Sequence, residues 1–218
     1  MFYPTLILLI INFVPYKKRH QLLAKNWSLG AIYLCRWICG VRWQVHGFEN
    51  IPERPCVIIS NHQSSWETFF LQTLVTPQNQ VLKRELLNIP FFGWALRAIK
   101  PITINRSDPR EAIKLVRTQG KALLDNDIPV LIFPEGTRNP NGELGKFSRG
   151  GSGLACSANV DILPIAHNAG KYWPNNRWIK TPGSIQVFIG KPMTTNGKGS
   201  AEVNNEVREW IAKKLASC

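Results

Sequence analysis

The chain has 218 residues, enough for one α/β domain with a sizeable core, or one domain and a short appendage. Lys and Arg number 27 against 14 Asp and Glu, and the resulting charge of +13 points to an anionic partner: nucleic acid, an acidic membrane surface or a phosphorylated substrate. The five cysteines are scattered and form no Cys-x-x-Cys pair, which argues against a disulfide framework or a zinc site.

The chain opens on an apolar run shorter than the ~20 residues of a spanning helix, followed by Lys17-Lys18-Arg19. A signal peptide carries its charge before the apolar run, so this order argues against one. If residues 18–38 form one helix, Lys18, Lys25 and Arg36 fall within about 20° of one another, since 7 and 11 residues are nearly whole turns. The rest of that surface is Leu, Ile, Trp and Tyr, the pattern of a helix lying in a membrane interface; a core-facing helix of a soluble protein is the alternative. The eight Trp and ten Phe also suit an interface. Residues 1–44 are therefore expected to form membrane-associated helices.

From about Val45 short apolar runs alternate with helical segments. "PCVIIS", "IPVLIFP", "DILPIAH" and "SIQVFIG" read as buried strands. Residues 65–76, 90–98, 109–125, 150–158 and 201–216 read as helices, the last with Val203, Val207, Trp210, Ile211 and Leu215 on one face. The expectation for 45–218 is one α/β domain with a mixed, largely parallel sheet flanked by helices. The Gly-rich "NPNGELGKFSRGGSG" is a candidate for substrate contact.

Asn61-His62 follows the strand run 57–59, at the place where α/β folds hold their ligands. Glu67 comes five residues later. On a regular helix that spacing turns the second group ~140° away. With His62 in the turn and Glu67 in the first helical turn, the carboxylate points back and fixes the imidazole tautomer, as the base and orienter of a triad do. Ser64-Ser65-Trp66-Glu67 equally fits a capping box, so the segment alone leaves both readings open. Phe133-Pro-Glu-Gly-Thr-Arg138 follows another buried strand and sets a guanidinium beside a Gly that lets backbone approach a ligand. Lys83, Arg84 and Arg106 bracket an apolar, aromatic stretch, which suits a ligand with a phosphate at one end and a hydrocarbon at the other.

Together these blocks resemble the glycerolipid acyltransferase family, the lysophosphatidic acid acyltransferases and their glycerol-3-phosphate relatives. Asn61-His62 to Glu67, Lys83 to Arg106 with Pro90-Phe91-Phe92-Gly93-Trp94, Phe133 to Arg138, and Leu163-Pro164-Ile165 match the family's four blocks in order, over roughly 45–195. The wording looks most like the bacterial members. Lys100-Pro101-Ile102-Thr103-Ile104-Asn105 departs from the family's usual Gly and Asp there, which leaves the acceptor less certain than the reaction.

The resemblance implies acyl transfer from an acyl carrier protein or coenzyme A thioester to the sn-2 hydroxyl of 1-acyl-sn-glycerol 3-phosphate, with no resident cofactor or metal. It gives His62 the role of base and Glu67 that of its orienter. Lys83, Arg106 and Arg138 then hold the phosphate, Gly136 and Thr137 shape its pocket, and Glu135 binds glycerol oxygen or positions Arg138. It further implies a location at the bacterial inner membrane, with the catalytic domain on the cytoplasmic face. An acyltransferase for another acceptor, lyso-ornithine lipid or glycerol 3-phosphate, is the main rival, and a lipid-binding protein without turnover is another. A nucleic-acid partner is disfavoured by the lack of zinc-finger or RNP-like motifs. Gly-x-Ser-x-Gly, Walker A and His-Glu-x-x-His patterns are absent.

Overall fold

A computed structural model describes residues 13–105, 107–139, 143–175 and 177–217. Residues 1–12, most of the first apolar run, lie outside them. The chain then forms α1 (Tyr16–Arg19), which passes through a π-helical stretch (His20–Asn26) into α2 (Trp27–Cys39). The expected helix over 18–38 is thus continuous but not one α-helix. The i→i+5 bonding of the π stretch makes wider turns and shifts the phase between Lys18 and the residues beyond it. Lys18 and Arg36 are exposed, whereas Lys25 is half-buried. No helix among the described residues is long and apolar enough to cross a membrane.

Gly40, at φ 64°, takes the left-handed conformation that ends α2 and turns the chain into β1 (Val41–His46). This strand runs across the boundary at residue 44, because an edge strand with one wet face alternates polar and apolar residues and hides its start. There follow β2 (Val57–Ser60), α3 (Trp66–Leu74), β3 (Asn79–Lys83), α4 (Phe92–Ile99), β4 (Ile102–Ile104) and α5 (Pro109–Leu124). β5 (Val130–Ile132), α6 (Gly150–Ala158), β6 (Ile162–His167), α7 (Ala169–Tyr172), β7 (Gly183–Ile189) and α8 (Ser200–Leu215) complete it. The sequence pattern does not mark β3, which begins with the polar pair Asn79-Gln80, or β4, whose three residues have Thr103 at their centre.

The seven strands form one sheet in the order β1-β7-β6-β2-β5-β3-β4. All neighbours are parallel except β6 and β7. This is the mixed, largely parallel sheet flanked by helices that the alternation of runs implies. β2 is buried on both faces, so it reads as an unbroken apolar run. Val57 and Ile59 face α5, α6 and α8 through Val116, Leu124, Leu154, Val203 and Val207. Ile58 faces α2 and α3 through Ile32, Trp66, Phe70 and Leu71. Because β6 and β7 are antiparallel, the carboxyl ends of β2, β3, β5 and β6 share one edge with the starts of β1 and β7. All the chemistry below lies on that edge.

Candidate active site

At the end of β2, Asn61 is locked to the end of β6. Its amide donates to the His167 carbonyl (2.9 Å) and accepts the His167 N–H (3.1 Å), while the His167 Nε2–H meets the Asn61 carbonyl (2.9 Å). His167 is fully buried, and that burial pushes its imidazole below the ordinary value against the pull of Glu67 and Glu135.

His62 comes next. Its Nδ1 lies 2.8 Å from Glu67 Oε1. A carboxylate only accepts, so Nδ1 carries the proton and Nε2 is the basic nitrogen. Oε1 also accepts the Gln63 and Ser64 N–H groups, and Oε2 a further bond from Ser64. Ser64 Oγ accepts from Trp66 N–H in return. One carboxylate thus contacts both the His62 imidazole and the backbone N–H groups of the turn that leads into α3. Burial alone would push the Glu67 carboxyl up, but the imidazoles of His167 and His62 and the Ser64 N–H outweigh it and hold it at about 2. Glu67 is accordingly ionised at neutral pH.

The loop after β5 fixes the rest of His62. Glu135 Oε1 accepts the His62 backbone N–H (2.8 Å), and the Asn139 N–H donates to the His62 carbonyl (2.8 Å). Glu135 Oε2 accepts from Gly145 N–H (2.8 Å) and from the Asn139 amide. Phe133 stacks on the imidazole at 4.2 Å and 19°. Both Glu135 oxygens thus serve the protein, and Glu135 holds His62 through its backbone. Gly136 adopts φ 66°, and among the described residues nothing beyond its chain neighbours lies within 4 Å of where a Cβ would stand, so the loop turns there beside open space.

His62, Phe133, Gly136, Thr137, Arg138 and Lys83 line one cavity of about 1070 Å³. Its apolar wall comes from α4 and α5 and includes Phe92, Leu96, Ile99, Ala112, Ile113 and Val116. Arg138 donates from Nη1 to Asn175 Oδ1 (2.9 Å), and its buried Nε has no hydrogen-bond partner among the described residues. Lys83 stands at the end of β3, half exposed and 3.3 Å from Glu85. Arg106 lies outside the described residues. The Gly-rich segment is pinned in part, with Phe147 buried and Ser148 N–H bonded to the Pro134 carbonyl; Ser148 and Gly150 also line the cavity.

The site is a buried imidazole with an ionised orienter, an arginine edge and a long apolar wall on one cavity. A family model described as acyltransferase matches residues 42–168. The chain belongs to the acyltransferase family. Within it, the chain is 52% identical over 215 residues to 1-acyl-sn-glycerol-3-phosphate acyltransferase of Pseudomonas aeruginosa, covering 97% of this chain and 84% of that protein. It is 31% identical to the chloroplastic LPAT1 enzyme of that name from Arabidopsis thaliana, with 94% of this chain and 57% of the plant protein covered. Its fold matches the crystal structure of the 1-acyl-sn-glycerophosphate (LPA) acyltransferase PlsC from Thermotoga maritima with a TM-score of 0.79 at 25% identity, over 99% of this chain and 88% of that one. The chain is an O-acyltransferase.

No individual role is read from the sequence for Phe133, Asn139, His167 or Asn175, which the structure places around His62 and Arg138. His167 carried a signal: a polar residue ends the apolar run of a strand, as Asn61 does. Asn175 carried none, since its partner Arg138 is 37 residues away.

Proposed function

We propose that this acyltransferase moves an acyl group from a thioester to the sn-2 hydroxyl of 1-acyl-sn-glycerol 3-phosphate, giving phosphatidic acid. The carrying observation is the 2.8 Å His62–Glu67 contact on a cavity shared with Arg138 and an apolar wall. The wall accepts hydrocarbon, Arg138 and Lys83 neutralise the phosphate, and His62 Nε2 meets the hydroxyl. As the hydroxyl oxygen attacks the thioester carbonyl, its proton passes to Nε2. The tetrahedral intermediate then expels the thiolate, which takes the proton back from the imidazolium. The products are an ester and a free thiol, with no acyl-enzyme. Acyl carrier protein and coenzyme A both supply the required thioester.

The acceptor is carried at a membrane, and the exposed Leu34, Trp37 and Ile38 of α2, with Trp27, support docking of α1 and α2 in an anionic interface. Phe91 is exposed at the cavity mouth, whereas Phe92 turns inward. This reading places the protein on the cytoplasmic face of a bacterial inner membrane. The test is an acceptor panel with one labelled thioester: lysophosphatidate, glycerol 3-phosphate and a lyso-ornithine lipid. Lysophosphatidate is expected to give the dominant product. Clear product with another acceptor and none with lysophosphatidate would replace this reading.

A further inference from the structure

The loop between α7 and β7 carries two of the most exposed apolar side chains described, Trp178 at 99% and Ile179 at 86%. It is a built turn. Lys180 Nζ donates to the carbonyls of Pro174 and Arg177, its cation stands 4.9 Å over the Trp173 ring, and Thr181 N–H bonds the Tyr172 carbonyl at 2.9 Å. Such bracing holds a Trp outward in water, where it loses the burial that would stabilise it.

The topology gives the loop a direction. It precedes β7 as α2 precedes β1, and the two parallel strands start in register at Val41 and Gly183. The Gly183 N–H bonds the Gly40 carbonyl, and Gly40 packs on Pro182. Trp178 and Ile179 therefore lie at the active-site edge, on the same side as the end of α2.

Charge selects the occupant. Residues 1–48 hold six Lys and Arg, residues 162–201 hold five, and neither stretch holds an Asp or Glu. The two acid-free stretches meet at this edge, and Lys171 and Arg177 are exposed beside the Trp. Aromatic rings with flanking cations match the depth profile of an anionic bilayer surface.

We propose that this loop is a second membrane anchor, inserting Trp178 and Ile179 into an anionic bilayer and setting the depth of Arg138. Asn175, which holds Arg138, is three residues before Trp178, so the two are at most ~10 Å apart. A headgroup layer is roughly 5–8 Å thick. A Trp at the base of that layer puts Arg138 among the lipid phosphates, where its acceptor's phosphate sits. The proposal rests on the membrane reading above and extends it beyond α1 and α2.

The test compares full-length protein with the W178S/I179S and W178L/I179L variants, each checked for an unchanged thermal melt. Each is sedimented with vesicles of phosphatidylglycerol and phosphatidylethanolamine in equal parts. The serine variant is expected to lose at least about tenfold in partition, and the leucine variant to keep it. Transfer to lyso-lipid in the same vesicles falls in parallel, while transfer to a monomeric short-chain acceptor stays. Unchanged partition of the serine variant overturns the proposal. So does intact partition with activity lost only for the acyl carrier protein donor, which would make the loop a carrier dock. Sedimentation reads the anchor whatever acceptor the enzyme prefers, so failure of the acceptor reading is seen separately.

Discussion

His62 and Arg138 stand on loops that leave the neighbouring parallel strands β2 and β5, but the protein holds them very differently. His62 is gripped at Nδ1, at its backbone N–H, at its carbonyl and across its ring. Among the described residues Arg138 has one side-chain bond, to an exposed asparagine. The difference fits the tasks that the proposed reaction gives the two residues. A proton passes only between atoms ~2.6–3.2 Å apart, so a base must be placed before substrate arrives. Attraction between a guanidinium and a phosphate falls only as the inverse of distance, so an arginine can reach to its ligand. In the proposed reaction the buried pair serves placement and the arginine capture.

The strongest way to break this contrast is His62→Ala. Turnover is expected to fall by about 10²–10⁴ with vesicle binding retained, measured as kcat on lyso-lipid in vesicles. Activity above a tenth of wild type would remove the base. Next comes the acid side of the pair. Folding holds the Glu67 carboxyl at about 2, below its ordinary 4.5. The folded state therefore favours the charged form, and about 3 kcal/mol of stability is present in full above pH 4.5 and lost as the pH falls toward 2. Glu67→Gln deletes that component. Its Tm deficit relative to wild type is expected to be constant above pH 4.5 and to shrink below it. A deficit that is the same at pH 3 and pH 7 would mean that Glu67 contributes packing and not charge.

The two sides were also unequally legible in sequence. His62, Glu67 and Arg138 lie in short blocks directly after apolar strand runs, where spacing alone limits what each can reach. The grip on His62 depends on β5 lying beside β2 and on β6 lying on its other side. Strand order is a long-range property, so Asn139 reads as a loop residue and Glu135 as a partner of substrate or of Arg138, and their bonds to the His62 backbone show only once the sheet exists. Helix ends came within about two residues because amphipathic period is local. The π stretch at His20–Asn26 did not show, since its apolar pattern is also that of an α-helix.

Arg138→Ala sharpens the contrast from the capture side, with the smallest of these effects. A charged hydrogen bond to phosphate is worth roughly 1.5–3 kcal/mol, so KM for the phosphorylated acceptor is expected to rise about 10- to 100-fold. Because the Arg138 guanidinium bonds Asn175 and the grip on His62 comes from Glu67, Glu135, Phe133 and the Asn139 N–H, kcat at saturating acceptor should stay within a few-fold. Lys83→Ala should change KM by less, since Lys83 is half exposed and already beside Glu85. Initial rates across acceptor concentration separate the two constants. A fall in kcat with KM unchanged would mean that Arg138 serves the reacting carbonyl, and the division between a placed base and a reaching arginine would be wrong.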